Sequence, residues 1–335
     1  MQDTHISLAH GNGGRYMREL IEELFARHLA NPLLSTEVDA ATVPWAGEGE
    51  MVVTTDGFTV QPLEFPGGDI GSLAVHGTVN DLAVSGAIPR YLTLNSFIEE
   101  GLEMALLERL VISMARAARA ADVQIVAGDT KVLRRGEGGG VYFATTGIGV
   151  RTTTVQLGMS AIQNGDRLLV SGPVGDHGTA VMLAREQFGL RGDLQSDSAA
   201  VLPITQALLA VPGLRFMRDP TRGGLATVAN EICRATGFGV QLSGPAIPVR
   251  DPVRSVCEML GYDPLYLACE GRVLAVVAAE HAEAALAAIR NLTDCAEAAL
   301  IGTVQAGRAH VVLETELGGQ RLLDELEDDP LPRIC

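Results

Sequence analysis

The spacing of apolar residues predicts alternating strands and helices in the first half of the chain. Helical spacing, with Met17, Leu20 and Leu24 on one face of the first segment, predicts helices over 15–29, 70–85 and 104–121. Runs of β-branched and other apolar residues predict strands over 51–56, 123–127 and 141–150. The helix over 70–85 consists mainly of small apolar residues, which favours close packing on all sides.

The second half repeats this mixture. Strands are predicted over 166–171, 273–278, 300–304 and 310–313, and helices over 225–236 and 280–290, with a further helix opening at Gly175–Gly178. Because 335 residues exceed the usual size of one core, we expect two α+β domains. The boundaries predicted are 1–153 for the first domain, 154–323 for the second and 324–335 for a tail.

Charge and composition narrow the function classes. The formal net charge of −16 argues against nucleic acid and anionic membrane surfaces as partners. No apolar run is long enough to span a bilayer and no export pattern opens the chain, so a cytoplasmic location is expected. The five cysteines form no C-x-x-C pair, which argues against a zinc site or a disulfide framework.

Three aspartates and one lysine are candidates for phosphate chemistry. Asp56 ends a strand, Asp81 follows Asn80 in an apolar helix, and Asp129 follows the strand over 123–127. Lys131 is the only lysine among 25 basic residues. Carboxylates suit magnesium, and an amine beside them suits a phosphate or a developing oxyanion. Taken singly, each aspartate is better explained as a cap or turn residue.

Two glycine-rich turns add candidate phosphate contacts, because helix starts expose backbone N–H groups. The first holds Gly13 and Gly14; taken alone, it is better explained as a plain helix cap. The second is the run from Asp219 through Thr221 and Arg222, which combines a hydroxyl, a guanidinium and free N–H groups. The chain has no Walker A motif, since its one lysine precedes Val132, and it has no protein-kinase catalytic loop.

The last residues form an extended arm that carries a thiol. Pro330 and Pro332 exclude helix and inner strand, and an acidic run over 324–329 precedes them. The given sequence stops at Cys335, whose thiolate would be a nucleophile. The alternative reading is a frayed end without a function.

In this order the motifs resemble the HypE family of hydrogenase maturation factors, carbamoyl dehydratases within the PurM-like superfamily of aminoimidazole ribonucleotide and selenophosphate synthetases. The resemblance covers nearly the whole chain. It is carried by the motifs at 10–14, 55–56, 65–71, 77–83, 85–91, 128–131, 175–178, 219–224, 270–271 and 332–335. The ending Pro332-Arg-Ile-Cys335 narrows it from the superfamily to this family, although Cys269 and Arg272 depart from the usual pattern around Glu270.

The resemblance implies a fold, partners and a reaction. The fold would be a two-domain PurM-like α+β structure, with N-terminal domains that form a β-barrel dimer interface and a C-terminal domain built on a mixed sheet. The carbamoyltransferase HypF would carbamoylate Cys335, ATP would drive dehydration of that group to a thiocyanate, and the cyano group would pass to iron on HypC–HypD.

The resemblance also implies residue roles. Cys335, Lys131 and Glu270 would be catalytic, with Glu270 as the base. Asp56, Asp81 and Asp129 would hold Mg²⁺. The ATP contacts would come from Gly13, Gly14, Asp56, Asn80, Asp81, Gly128, Asp129, Thr130, Lys131, Asp219, Thr221 and Arg222.

Two other readings remain open at this point. The chain could be a related synthetase or kinase that acts on a free small substrate. It could instead be a carrier that presents a thiol-bound ligand and performs no chemistry. A synthetase or kinase would keep its activity without Cys335, whereas the dehydratase would not. A carrier without chemistry would not need to bind a nucleotide.

Overall fold

The computed structural model of the chain describes residues 14–20, 22–23, 41–43, 47–185, 192–326 and 334–335. The described helices are α1 (Arg15–Leu20), α2 (Ile70–Val84), α3 (Met104–Ala120), α4 (Asp176–Ala184), α5 (Leu202–Leu209), α6 (Gly224–Thr236), α7 (Asp251–Leu260) and α8 (Ala282–Arg290). Most of the predicted helix over 15–29 lies outside the described residues.

The first half is built on a five-stranded sheet. Its strands are β1 (Ala41–Val43), β2 (Glu50–Phe58), β5 (Ile88–Glu99), β6 (Gln124–Leu133) and β7 (Val141–Arg151), in the order β1-β2-β7-β5-β6. Neighbours are antiparallel except β5 and β6, which run parallel. A short hairpin of β3 (Glu64–Phe65) and β4 (Gly68–Asp69) leads into α2.

The second half is built on a seven-stranded mixed sheet in the order β14-β13-β10-β12-β8-β11-β9. The strands are β8 (Arg167–Val170), β9 (Leu214–Arg218), β10 (Gly239–Ser243), β11 (Leu274–Val277), β12 (Ala299–Gln305), β13 (Val311–Glu314) and β14 (Gln320–Leu322). The pair β10 and β13 is parallel and the other pairs are antiparallel. Each half therefore has its own sheet, as the α+β prediction requires.

Helix α2 lies where the two halves meet. It has buried residues on every side, so it must be covered all round. Its start is fixed by a capping box, in which the Asp69 carboxylate accepts from the N–H groups of Gly71 and Ser72. Ala83 and Val84 at its end belong to a core that also contains residues of the second sheet. Side chains on α2 can therefore reach groups from both halves.

The observed helices and strands agree with the predicted ones in some segments and differ from them in others. The prediction for 70–85 matches α2 within one residue, as does 104–121 for α3. The strand predicted over 123–127 is wrong at its end, because β6 continues through Gly128–Lys131 instead of stopping before them. The predictions missed β5, β9, β10, α5 and α7. The four inner cysteines, Cys233, Cys257, Cys269 and Cys295, are all buried.

None of the described helices is both long and apolar enough to cross a membrane.

Candidate active site

Asp56 and Asp81 meet where β2 crosses α2. The hydroxyl of Thr54 donates to Asp81 Oδ2 at 2.7 Å, which ties the helix to the strand. Gly77 lies one helical turn before Asp81 and permits the close crossing. A Cβ there would stand 2.8 Å from the Phe58 ring and 3.4 Å from Asp56 Oδ2. Two of the three predicted magnesium ligands, Asp56 on β2 and Asp81 on α2, therefore lie on elements that contact each other.

Glu270 is a buried carboxyl at the same junction. Its residue is only 2% exposed, and burial raises its pKa well above the usual range. The negative charges of Asp219, Asp56 and Asp197 raise this pKa further, while Arg222 opposes them. Its Oε1 is buried without a hydrogen-bond partner. Once ionised, a buried carboxylate of high proton affinity with an unused oxygen is suited to accept a proton from a bound group.

The amide of Asn80 fixes the backbone around Glu270. Its Nδ2 donates to the carbonyl oxygens of Ala199 (3.0 Å) and Glu270 (3.1 Å), and its Oδ1 accepts from the N–H of Val201 at 2.9 Å. Asn80 is fully buried. The structure thus gives Asn80 a positioning contact with the second half; its predicted contact with ATP stays a prediction.

The turn before α6 brings Asp219, Thr221 and Arg222 to the junction. Gly223 and Gly224 follow with φ of 75° and 58°, a region that favours glycine. A Cβ on Gly224 would lie 2.6 Å from the carbonyl oxygen of Leu265, so the turn is also tightly packed. The N-terminus of α6 therefore lies in a fixed place beside these side chains.

Arg222 links the groups of the site electrostatically. The charge of Cys335 is the largest cause that raises the pKa of Arg222, and the charges of Asp56, Glu270 and Asp81 act in the same direction. One guanidinium therefore lies within electrostatic reach of Cys335, the predicted base and two of the predicted magnesium ligands. A cation among several anions is also suited to a phosphate group.

The last two residues occupy this junction. The carbonyl oxygen of Cys335 accepts from the N–H of Thr59 at 3.1 Å and from its hydroxyl at 3.2 Å. The carbonyl oxygen of Ile334 lies 2.8 Å from His177 Nε2, and the Ile334 side chain is 8% exposed. The chain end is thus inserted between the first half, through Thr59, and the second half, through His177. The reading of a frayed end is wrong for these two residues.

The motif Gly128–Lys131 lies elsewhere in the single chain. It belongs to β6, an edge strand whose residues are almost all exposed, and β5 and β7 lie between β6 and β2. Three strand spacings separate β6 from Asp56, about 14 Å along the sheet. Lys131 Nζ lies 2.8 Å from Asp129 Oδ2, and this pairing lowers the pKa of Asp129. Within one chain the structure does not bring Asp129, Thr130 and Lys131 to Asp56.

The acidic groups can be tested as a metal site. Among the described residues, no three His, Cys, Asp or Glu side chains are close enough to hold a metal ion by themselves. Asp56 of β2 and Asp81 of α2 nevertheless supply oxygen ligands from two elements in contact. This donor set suits Mg²⁺, which usually keeps waters and takes substrate phosphates as further ligands. The residues present fit a magnesium ion that arrives with a nucleotide.

The amino-terminal turn is only partly described. Gly13 lies outside the described residues, while Gly14 is buried. The N–H of Arg15 donates to the carbonyl oxygen of Leu326 at 2.9 Å, and Arg18 pairs with Glu325 at 3.1 Å. The glycine-rich turn is thus held against the segment that precedes the chain end.

Some residues of the site were missed by the sequence predictions. Thr59 and His177 hold the chain end. Ser196 bonds to His177 at 2.8 Å, and the Asp197 carboxylate accepts from the N–H groups of Glu270 (3.2 Å) and Gly271 (3.3 Å). The run Gly175–Gly178 was predicted as a helix start and as one motif of the family resemblance, without a role for His177, and no local pattern marked the serine-rich segment.

Comparisons with known proteins identify the family of the chain. The model of the AIR synthase related protein N-terminal domain matches residues 37–151, and the C-terminal domain model matches 163–314. The carbamoyl dehydratase HypE of Azotobacter vinelandii is 49% identical over 337 residues, covering 100% of this chain and 98% of the relative. The chain belongs to the HypE family of carbamoyl dehydratases.

Solved structures of this family share the fold. A HypE crystallised as a HypE–HypF complex superposes with a TM-score of 0.86 at 41% identity, covering 92% of this chain and 99% of the other. A HypE in complex with ATP has a TM-score of 0.82 at 46% identity, covering 99% and 100%. The two-domain PurM-like fold predicted from the sequence is confirmed.

Proposed function

We propose that the protein catalyses ATP-dependent dehydration of a carbamoyl group on the Cys335 thiol, giving a thiocyanate. The observation that carries this proposal is the position of the chain end: the carbonyl oxygen of Ile334 lies 2.8 Å from His177 Nε2 of the second half, and Cys335 is bonded to Thr59, three residues after Asp56. A group attached to the thiol would therefore be delivered to a base and to a candidate phosphate site together. The ATP complex of a HypE relative supports the nucleotide.

The nucleotide would bind with its phosphates between the two halves. Arg222 and the N–H groups at the start of α6 offer positive charge to the phosphates. Asp56 and Asp81 would hold Mg²⁺, which, when bound, would neutralise phosphate charge. Gly13, Gly14, Gly128, Asp219 and Thr221 remain proposed ATP contacts.

The reaction has two proton losses. The amide oxygen of the carbamoyl group attacks the γ-phosphorus, an O–P bond forms, ADP leaves, and the nitrogen loses one proton. The second N–H proton then leaves, the C–O bond breaks with departure of phosphate, and the carbon–nitrogen bond becomes triple. Phosphorylation is required because the amide oxygen is otherwise a poor leaving group.

Glu270 is the proposed base for a proton on nitrogen. Its raised pKa gives it high proton affinity, and its unpartnered Oε1 provides an acceptor. The buried junction also limits access of water, which would otherwise hydrolyse the phosphorylated intermediate. Lys131 is proposed to stabilise developing charge or to assist proton transfer.

Lys131 can serve this site if two copies of the chain associate. In the described sheet, β1 pairs only with Met51–Val53 of β2, and β6 forms the opposite edge. The solvent side of this sheet carries exposed apolar residues of β5 and β6, among them Tyr91, Phe97, Val126 and Val132. Closing two such sheets edge to edge into a barrel would place β6 of a second copy beside Asp56. We therefore propose a homodimer in which each site receives Asp129 and Lys131 from the other copy.

The proposed partners follow from the chemistry of the thiol. The group must first be placed on Cys335, and the HypE–HypF complex of a relative makes HypF the proposed donor. The thiocyanate must then be consumed by an acceptor of cyanide. We propose the iron carried by HypC–HypD, for the centre of nickel–iron hydrogenase, in the cytoplasm.

The test is the intact mass of the carbamoylated protein before and after addition of ATP and magnesium. The proposal expects loss of the mass of one water, no loss with a non-hydrolysable ATP analogue, and no carbamoylation of a Cys335→Ala variant. Persistence of the carbamoyl mass with ATP would refute it. Turnover of a free small substrate by Cys335→Ala would instead favour a kinase or synthetase.

A further inference from the structure

The last two residues are held mainly through their backbone. His177 and Thr59 contact the carbonyl oxygens of Ile334 and Cys335, and the Ile334 side chain packs in a core that includes Phe65. Cys335 is itself partly buried and packs against the same core. The two carbonyl contacts fix the backbone that carries the sulfur.

Hydrogen-bond directions define the state of His177. A carbonyl oxygen can only accept, so Nε2 must carry the proton in its 2.8 Å contact with Ile334. Nδ1 then accepts the hydroxyl proton of Ser196 at 2.8 Å, and the Ser196 oxygen in turn accepts from the N–H of Ser198 at 3.0 Å. Burial lowers the pKa of His177, which keeps the ring neutral. The hydrogen bonds then run in one direction, from the N–H of Ser198 through Ser196 and His177 to the carbonyl oxygen of Ile334.

The segment that orients His177 also holds the proposed base. Asp197 follows Ser196 directly and accepts from the backbone N–H of Glu270 and of Gly271. Ala199 donates its N–H to the Glu270 carbonyl oxygen at 3.3 Å. The chain end and Glu270 are thus positioned against one short piece of chain.

From these contacts we propose that Thr59 and His177 form a docking site for the backbone of the last two residues, and that Ser196 orients it by fixing the His177 tautomer. These three are positioning residues, because they act through the tail and not on the reacting atoms. The inference deepens the proposed function and rests on it for the reaction that docking serves.

The docking site can be measured without catalysis. The other four cysteines are buried, so a bulky maleimide added to the folded protein reports on Cys335. Ser196→Ala leaves Nδ1 without its donor, so the ring can adopt the other tautomer and Nε2 no longer donates. We expect maleimide labelling about threefold to tenfold faster than in the wild type, the worth of one buried hydrogen bond. The ¹⁵N signals of His177 should show the tautomer change.

Two variants control for general loosening. Ser198→Ala makes the same change two residues away, where the hydroxyl bonds to His76 and not to the docking site, and should label at the wild-type rate. Ser196→Thr keeps a hydroxyl and should restore slow labelling. Labelling follows the undocked fraction and dehydration the docked fraction, so dehydration of carbamoylated Ser196→Ala should slow by less than labelling accelerates as long as the docked state remains the larger one.

Thr59→Val tests the other end of the docking site independently. It removes the hydroxyl contact, keeps the N–H contact, and should also accelerate labelling, whereas Thr152→Val, at an exposed hydroxyl bonded to Thr154, should not. Wild-type labelling rates in either Ser196→Ala or Thr59→Val overturn the proposal. Since labelling needs no ATP, failure of wild-type protein to lose water would refute the proposed function and leave this result standing.

Discussion

Glu270 and Asp129 are carboxylates predicted for one active site. The regions that hold them shift the carboxylate pKa in opposite directions. Glu270 is buried, its backbone is held by Asn80 and Asp197, and burial raises its pKa. Asp129 lies on the exposed edge strand β6, where the side chain of Lys131 lowers its pKa. The first group is prepared to take a proton, and the second is prepared to remain charged.

This difference separates the part of the proposed active site that one chain forms by itself from the part that it exposes to solvent. The junction around α2 already contains the chain end, the proposed base, a guanidinium and two magnesium-type ligands. Strand β6 offers an anion and the chain's only lysine to the solvent, beside exposed apolar side chains. An edge strand of this kind is a surface for pairing with another chain. The comparison therefore predicts that a substitution at the junction affects the reaction in its own copy, whereas a substitution on β6 affects the reaction in the other copy.

The largest expected effect comes from Glu270→Gln. The change keeps the shape of the side chain and removes the proton acceptor, so the rate of thiocyanate formation should fall by about 10²–10⁴. The unfolding midpoint should not decrease, because the variant no longer buries a carboxyl that resists ionisation. Mass spectrometry of the carbamoylated variant with ATP, together with urea unfolding, checks both expectations.

A matched control is Glu316→Gln. This glutamate is exposed and pairs with Arg254 at 3.7 Å on the surface, so rate and midpoint should both remain unchanged. A Glu270→Gln protein that still forms thiocyanate at the wild-type rate would remove Glu270 from the role of base.

The next largest effect is expected from Lys131 on β6, which we propose acts in the active site of the other copy. Lys131→Ala and Cys335→Ala should each be inactive alone, the first because it lacks the amine and the second because it lacks the thiol. Coexpressed with two different tags and purified as mixed dimers, they should regain activity in one of the two sites. That site combines Cys335 of one copy with Lys131 of the other, and loss of water from the Lys131→Ala copy is the measurement.

The control pairs Asp81→Asn with Cys335→Ala. Asp81 and Cys335 lie at the same junction of one chain, so this mixed dimer should stay inactive. Since Lys131 is exposed and pairs only at the surface, Lys131→Ala should also unfold at the wild-type urea midpoint. Inactive Lys131→Ala and Cys335→Ala mixed dimers would place the lysine in its own chain's site, and a monomeric wild-type protein would refute the exchange altogether.

The sequence was sufficient for elements that carry their own signals. Helix α2 was predicted within one residue because its small apolar residues are continuous and a capping residue precedes them. Placing Asp56, Asp81 and Glu270 in one site came from motif order and family resemblance. Strand β5 was missed because Pro89 and Arg90 interrupt its start and its buried positions do not alternate regularly.

The remaining features depend on contacts between distant parts of the chain. Sheet order decides that β6 lies three strands from β2, and nothing in either segment states that order. His177 bonds to Ser196, 19 residues away, and to Ile334, 157 residues away. Such contacts appear only after the two halves have packed, so no local periodicity could reveal the docking site.

The smallest expected effect concerns Asp176, a second buried carboxyl on the α4 side of the junction. Burial and the charge of Asp197 raise its pKa to about 6, against the opposing effects of Arg250 and Arg272. A carboxyl with a raised folded-state pKa stabilises the fold below its unfolded value of 3.8, and this contribution is lost as pH rises to about 6. Between pH 4 and pH 7 the wild type should therefore lose up to about 3 kcal/mol from this group.

Asp176→Asn removes this titration, so its free energy of unfolding should fall less than that of the wild type over the same pH range. Urea unfolding at several pH values measures the difference between the two curves. Asp193→Asn, at an exposed aspartate, should follow the wild-type curve. Parallel curves for Asp176→Asn and wild type would mean that Arg250 and Arg272 offset the burial completely. Asp176 would then behave as a simple ion-pair partner, and the contrast between buried and exposed carboxylates would rest on Glu270 alone.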